Sequence, residues 1–197
     1  MNFYKAIQKR RTNYTITNKT TITDARLEEI IREMVKYTPS SFHSQSSRAV
    51  LLLGDNHKTL WEIVMQTLKD IVPSGAFAAT ESKINSFAAA YGTILYFEDQ
   101  DVVKGLQESF PAYKDNFPLW SNQSSGMLQA NIWTALTMEG LGVSLQHYNP
   151  IIDVKVAQIF DIPASWKLIA QMPFGVAVSE PKELEYKDLA GRVRVIK

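Results

Sequence analysis

A single α+β or α/β domain, rich in helix and with short strands, is what this 197-residue sequence predicts, and three observations carry it. Segments with apolar residues at helical spacing alternate with short apolar runs such as Ala49 to Leu53 and Thr93 to Phe97. One stretch, Ser121 to Tyr148, begins with a segment that is apolar around nearly its whole circumference. No internal repeat, low-complexity run or composition break marks a boundary, so residues 1–197 read as one unit.

That stretch, SNQSSGMLQANIWTALTMEGLGVSLQHY, organises the chain. Met127, Leu128, Ala130, Ile132, Trp133, Ala135, Leu136, Met138 and Leu141 make its first two thirds a buried helix with neighbours on all sides, one of them a second subunit. Gly140 and Gly142 break the pattern where a helix C-terminus needs residues tolerant of positive φ. Val143 to His147 then reads as a short strand entering the core.

Composition narrows the chemistry. With 45% apolar and 21% charged residues the chain is an ordinary globular protein, and a formal charge of +1 excludes a dedicated nucleic-acid binder with a basic stripe. Cysteine is absent, which removes disulfide frameworks, thiolate nucleophiles, zinc ribbons and iron–sulfur centres. Any redox chemistry must come from a borrowed cofactor. The N-terminus MNFYKAIQKRR lacks the apolar core of a signal peptide, and no run approaches the ~18 apolar residues of a membrane span. A cytoplasmic location is the expectation.

In order, Phe3 to Lys9 reads as a short helix leading into Arg10-Arg11-Thr12, either a solvated basic helix end or an anion site with two guanidiniums and a hydroxyl. Thr23 is the N-cap of the next helix, with Ile22 and Leu27 placed as a hydrophobic staple; Leu27, Ile30, Ile31, Met34 and Val35 carry it to Tyr37. Pro39 to Arg48 is a donor-rich polar loop before the strand Ala49 to Leu53. It is an exposed connection or a cradle for a heteroaromatic ring edge. No serine sits in a G-x-S-x-G elbow, so a serine hydrolase is a poor alternative.

Lys58 to Val72 and Phe77 to Ala90 read as helices, and Thr93 to Phe97 as a strand closed by Glu98-Asp99, with no histidine cluster that would hold a metal. Gln100 to Glu108 is a third helix. Ser109 to Trp120, where Phe110, Tyr113, Phe117 and Trp120 interleave with prolines, reads as a packed surface loop or a lid. Asp153 to Phe160 is a short helix and Trp166 to Val178 a strand region. Gly191-Arg192-Val193-Arg194-Val195 alternates with the period of a strand, a charged edge or two arginines aimed at one phosphate.

Arg10-Arg11-Thr12 after the first helix, Pro39-Ser40-Ser41 with Ser44-Gln45 after the second, and Gly140-Leu141-Gly142 after the central one resemble the flavin-dependent nitroreductase family. PSSFHSQSSR, YGTILYFED, LQHYNP and GRVRV resemble its fatty-acid-repression-mutant-like branch, over nearly the full length. The resemblance implies a mostly antiparallel sheet flanked by helices and an obligate homodimer. The central helix would lie at the dimer contact, with two FMN molecules at the interface. By position, Arg10, Arg11 and Thr12 would hold the flavin phosphate, with Arg192 and Arg194 adding to it. Pro39, Ser40, Ser41 and His43 from the other subunit would line the ring, and Gln146 and His147 would lie along its edge, where backbone N–H groups are donated near N5 and O4. Three positions depart from the family pattern: Tyr14 replaces a basic residue, His43 an asparagine, and Ser46-Ser47 a Pro-Trp pair.

The implied activity is hydride transfer from NADH or NADPH through flavin N5 to a quinone or nitroaromatic acceptor, a ping-pong cycle in which the cofactor carries the chemistry and no side chain need be catalytic. The alternatives are a flavin-binding redox sensor or store with little turnover, flavin breakdown or dehalogenation on the same scaffold, and a dimeric scaffold without flavin.

Overall fold

The computed structural model describes residues 1–179, 181 and 183–197. Helices α1 (Phe3–Lys9) and α2 (Asp24–Tyr37) precede strand β1 (Ser47–Leu53), and α3 (Gly54–Lys69) and α4 (Phe77–Ala88) precede β2 (Gly92–Asp99). Then come α5 (Gln100–Ser109), the long α6 (Phe117–Met138), β3 (Gly142–Val143), α7 (Asp153–Ile159) and β4 (Trp166–Gly175). The strands form one antiparallel sheet in the order β1-β2-β4-β3, as expected.

β2 lies inside the sheet with both faces covered, so Gly92 to Phe97 are apolar or neutral and Gly92 to Glu98 are all buried. Its alternate residues enter two cores. Ile94 and Tyr96 pack with Leu27 and Ile31 of α2 and with Leu128, Ile132 and Leu136 of α6. Leu95 and Phe97 face Leu60, Trp61 and Val64 of α3, Ile84 and Phe87 of α4, and Val156 of α7. The predicted cap of α2 is present: the Thr23 hydroxyl accepts the Arg26 N–H at 3.2 Å, and Ile22 packs against the cluster holding Leu27.

Several boundaries differ from the sequence reading, each for a local reason. α3 starts at Gly54 and not at Lys58, because Gly54 at φ +55° turns the strand end directly into a helix. α6 starts at Phe117, so Phe117 and Trp120 are helical and the aromatic segment is not one continuous loop; Pro118 is accommodated in the first turn, where its missing N–H costs nothing. α6 is also not covered on all sides within the protomer: Leu119, Gln123, Gly126, Met127 and Ala130 form an exposed stripe.

After α6, Gly140 takes the expected positive φ of +85°, but Gly142 does not. Its role is close approach, since a Cβ there would stand 2.7 Å from the Ala177 Cβ. The strand read over Val143 to His147 is short, and it continues as single pairings: the Ser144 N–H donates to the Pro173 carbonyl at 3.0 Å, and Gln146 exchanges bonds with Gln171. Gly191 to Val195 is not a strand in the protomer; the Leu189 carbonyl accepts from Arg192 and Val193 in a turn, and the segment is exposed. No helix among the described residues is long and apolar enough to cross a membrane.

Candidate cofactor site

Arg10 is the C-cap of α1, and its guanidinium lies 4.5 Å from the centroid of the Trp133 ring on α6. Arg11 and Thr12 follow in extended chain, where Thr12 forms a parallel bridge with Val143 and the Asn13 N–H donates to the Val143 carbonyl at 2.9 Å. The basic run is thereby fastened to β3, the edge strand. Arg11 and Asn13 line two clefts there, of 480 and 310 Å³.

Strand geometry then fixes which backbone groups are available farther along this edge. The Gln146 N–H donates to the Gln171 carbonyl at 2.7 Å and the Gln171 N–H returns to Gln146 at 2.9 Å, so both Gln146 backbone groups are turned toward β4. Val143 turns its carbonyl to the other side, where it accepts the Asn13 N–H. Of the two residues read from sequence as lying along the ring edge, His147 is exposed, while Gln146 is paired with the sheet and its side chain donates to the Ser144 hydroxyl at 2.8 Å.

Pro39 and Ser40 line a separate cleft of 730 Å³ between α2 and β1, with Gln45, Arg48, Leu128 and Trp166. Ser41 and His43 belong to a short turn, Ser41–His43, in a loop with unusual backbone: Phe42, His43 and Gln45 have φ of 56°, 51° and 50°. Such left-handed residues without glycine cost about 1–3 kcal/mol each and persist only where surroundings hold them. The Phe42 ring sits 4.8 Å from Phe110, 5.3 Å from Phe117 and 6.1 Å from Trp120, and the Gln45 N–H donates to the Ser40 hydroxyl at 2.9 Å. The clefts lined by Arg11 and by Pro39 share no residue, so one protomer keeps the basic run and the polar loop apart. Arg192 and Arg194 lie in the exposed tail, beside neither.

Two buried polar groups near these clefts are not legible as such in the sequence. Glu98 is only 1% exposed and accepts from Ser46 at 2.6 Å and from Ser47, with the Ser121 hydroxyl close by. Burial pushes its carboxyl up, against the pull of those hydroxyls and of Arg48. Its signal was a carboxylate in phase with Ile94 and Tyr96, following a loop of serines. Trp133 is 9% exposed, and its indole N–H is buried without a partner; in sequence it read only as core.

The nitroreductase family model matches residues 7–176. The chain belongs to the nitroreductase family. Nitroreductase FRM2 of Saccharomyces cerevisiae is 34% identical over 188 residues, covering 92% of this chain and 91% of that protein. Nitroreductase CinD of Lactococcus lactis, solved in complex with nicotinic acid, superposes with a TM-score of 0.92 at 45% identity, covering all of both chains. A nitroreductase-fold protein of Desulfovibrio desulfuricans, solved with FMN, shares the fold at 16% identity, with a TM-score of 0.72 over 100% of this chain and 98% of that one.

Proposed function

We propose that this nitroreductase is an FMN-dependent oxidoreductase that passes a hydride from NADH or NADPH to a quinone or nitroaromatic acceptor in a ping-pong cycle, working as a homodimer. The observation that carries the reading is the fastening of the basic run to the β3 edge through Thr12 and Asn13, with His147 exposed a few residues beyond β3. Two guanidiniums and a hydroxyl suit a phosphate, and a backbone N–H suits the polar edge of a flavin ring. The orphaned indole N–H of Trp133, next to Arg10, adds a donor to a site rich in them.

Bound FMN supplies a hydride-accepting centre at N5. Arg10, Arg11 and Thr12 bind its phosphate, and His147 donates its backbone N–H at the ring edge. Pro39, Ser40, Ser41 and His43 of a second copy cover the ring and exclude water. Arg192 and Arg194 reach the phosphate once the tail is docked.

Two features support the dimer. α6 presents the exposed stripe of Leu119, Met127 and Ala130, and β1 is an open sheet edge beside the 730 Å³ cleft. The tail leaves Leu184, Tyr186, Leu189, Val193 and Val195 exposed, apolar side chains that a second copy can cover.

An anaerobic absorbance spectrum before and after NADH or NADPH tests the reading. The expected result is a yellow protein that bleaches and recovers on adding a quinone or nitroaromatic. A yellow protein that does not bleach is a flavin sensor or store, and a colourless one that takes up no FMN overturns the cofactor assignment.

A further inference from the structure

Among the described residues the polar loop holds three of the four non-glycine residues with positive φ, and one group on the sheet beneath it has no part in the chemistry above. Glu98 stands on β2 directly across from Ser47 of β1, and the Asp99 N–H donates to the Ser46 carbonyl at 3.0 Å. Its carboxylate accepts the hydroxyls of Ser46 at 2.6 Å from the loop and of Ser47 from β1, and the Ser121 hydroxyl of α6 stands close enough to favour its charged form. The Ser44 hydroxyl lies 3.5 Å from that of Ser46 and extends the chain of polar contacts toward the turn.

A buried carboxylate facing apolar residues is costly, and here it is offset by neutral hydroxyl donors and by no ion pair of its own among the described side chains; Arg48, the nearest cation, pairs with Asp99 at 2.9 Å. A glutamine or an apolar residue would close β2 at lower cost. What the carboxylate provides is acceptor capacity for several donors at once, which draws together the loop end, the sheet and the start of α6. The start of α6 also carries Phe117 and Trp120, the rings that hold Phe42 in its left-handed conformation. Both ends of the strained loop are therefore referenced to one point.

We infer that Glu98 is a positioning residue of the flavin site: by clasping Ser46, Ser47 and Ser121 it holds the Ser40–Gln45 loop in the conformation that lets it line the ring. The inference rests on the reading that this loop lines bound FMN.

Amide hydrogen exchange of the full chain, with and without FMN, combined with FMN titration, tests both steps. Glu98→Ala is expected to speed exchange at Phe42 to Gln45 by about tenfold or more while Leu60 to Val64 on the opposite face exchange as before, and to raise the FMN Kd by about tenfold. Glu98→Gln, whose amide oxygen still accepts a hydroxyl, recovers part of both effects, and Ser46→Ala shows a smaller version of each. These two variants keep the test decisive if Glu98→Ala does not fold. Unchanged loop exchange in these variants overturns the clasp, as does an increase shared equally by Leu60 to Val64, which is general loss of stability. Ser41→Trp, read for FMN affinity alone, tests the underlying site: if it binds FMN as the wild type does, the loop does not line the ring, and the assignment of Glu98 to the flavin site falls with that reading. A loop that loosens with no change in FMN Kd, while Ser41→Trp does weaken binding, overturns the positioning role alone.

Discussion

The Arg10 guanidinium rests on the face of Trp133, 4.5 Å from the ring centroid, and this contact ties the end of α1 to the C-terminal third of α6. A cation held on an aromatic face has fewer conformations to lose when it binds a phosphate. Arg10→Ala should raise the FMN Kd about tenfold to a hundredfold, the worth of one charge-assisted hydrogen bond, and adding Arg192→Ala should raise it further. Trp133→Leu, which removes the aromatic face, should give a smaller rise, about threefold to tenfold. Fluorescence titration with FMN checks all of these; retention of wild-type affinity in the double arginine variant discards the phosphate assignment.

Phe117 and Trp120 are adjacent in the aromatic cluster but differ in burial, and their substitutions should separate. Phe117 is 2% exposed, so Phe117→Ala opens a cavity and should cost about 3–5 kcal/mol of stability, seen as a lowered Tm. Trp120 is half-buried at the rim. Trp120→Ala should change the acceptor KM and leave FMN occupancy near the wild-type level. Parallel loss of both in steady-state assays would assign Trp120 to scaffolding.

If the exposed stripe of α6 meets its counterpart, a charge within it must break the assembly. Ala130→Arg should shift the protein from dimer to monomer in sedimentation velocity and strip it of flavin, because each site would lose its second half. A variant that sediments as a dimer and stays yellow places the interface elsewhere.

On the opposite face, the Trp61 N–H donates to the Thr93 hydroxyl at 3.0 Å, which lies 2.9 Å from His57 Nδ1, while Nε2 is 3.1 Å from the Ala88 carbonyl. All four groups are satisfied by a neutral ring with its proton on Nε2. Burial holds the His57 pKa below its ordinary value of 6.5. Between the folded and unfolded values the unfolded chain binds the proton and the folded chain does not, so this contribution to stability is complete above pH 6.5 and is lost as pH falls through that window. Urea unfolding across pH should show the loss, and His57→Gln should flatten it. Thr93→Val orphans the Trp61 N–H and His57 Nδ1, at about 1–3 kcal/mol for each.

Much of the fold was legible because it is encoded locally. Thr23, Ile22 and Leu27 announced α2 through capping and stapling, and Phe3 to Lys9 and Gln100 to Glu108 read as helices from spacing alone. The misreadings fall where one residue has two uses. Gly142 read as a helix stop and serves a close approach to Ala177. Glu98 read as a polar strand end, and its burial depends on serines that lie as far away as Ser121.

The sequence by itself determined the class of the protein: the absence of cysteine excluded thiol and iron–sulfur chemistry, the helical and strand periods set an α+β chain, and the ordered motifs identified the nitroreductase family. Tertiary structure alone decided which groups meet. It joined Thr12 to Val143, placed Arg10 on Trp133, and gathered three serines from the loop, β1 and α6 around one carboxylate. The reason is range: periodicity, caps and motifs act over a few residues, whereas burial and hydrogen-bond partnership between residues such as Ser46 and Glu98 depend on how the sheet is registered and what α6 lays across it.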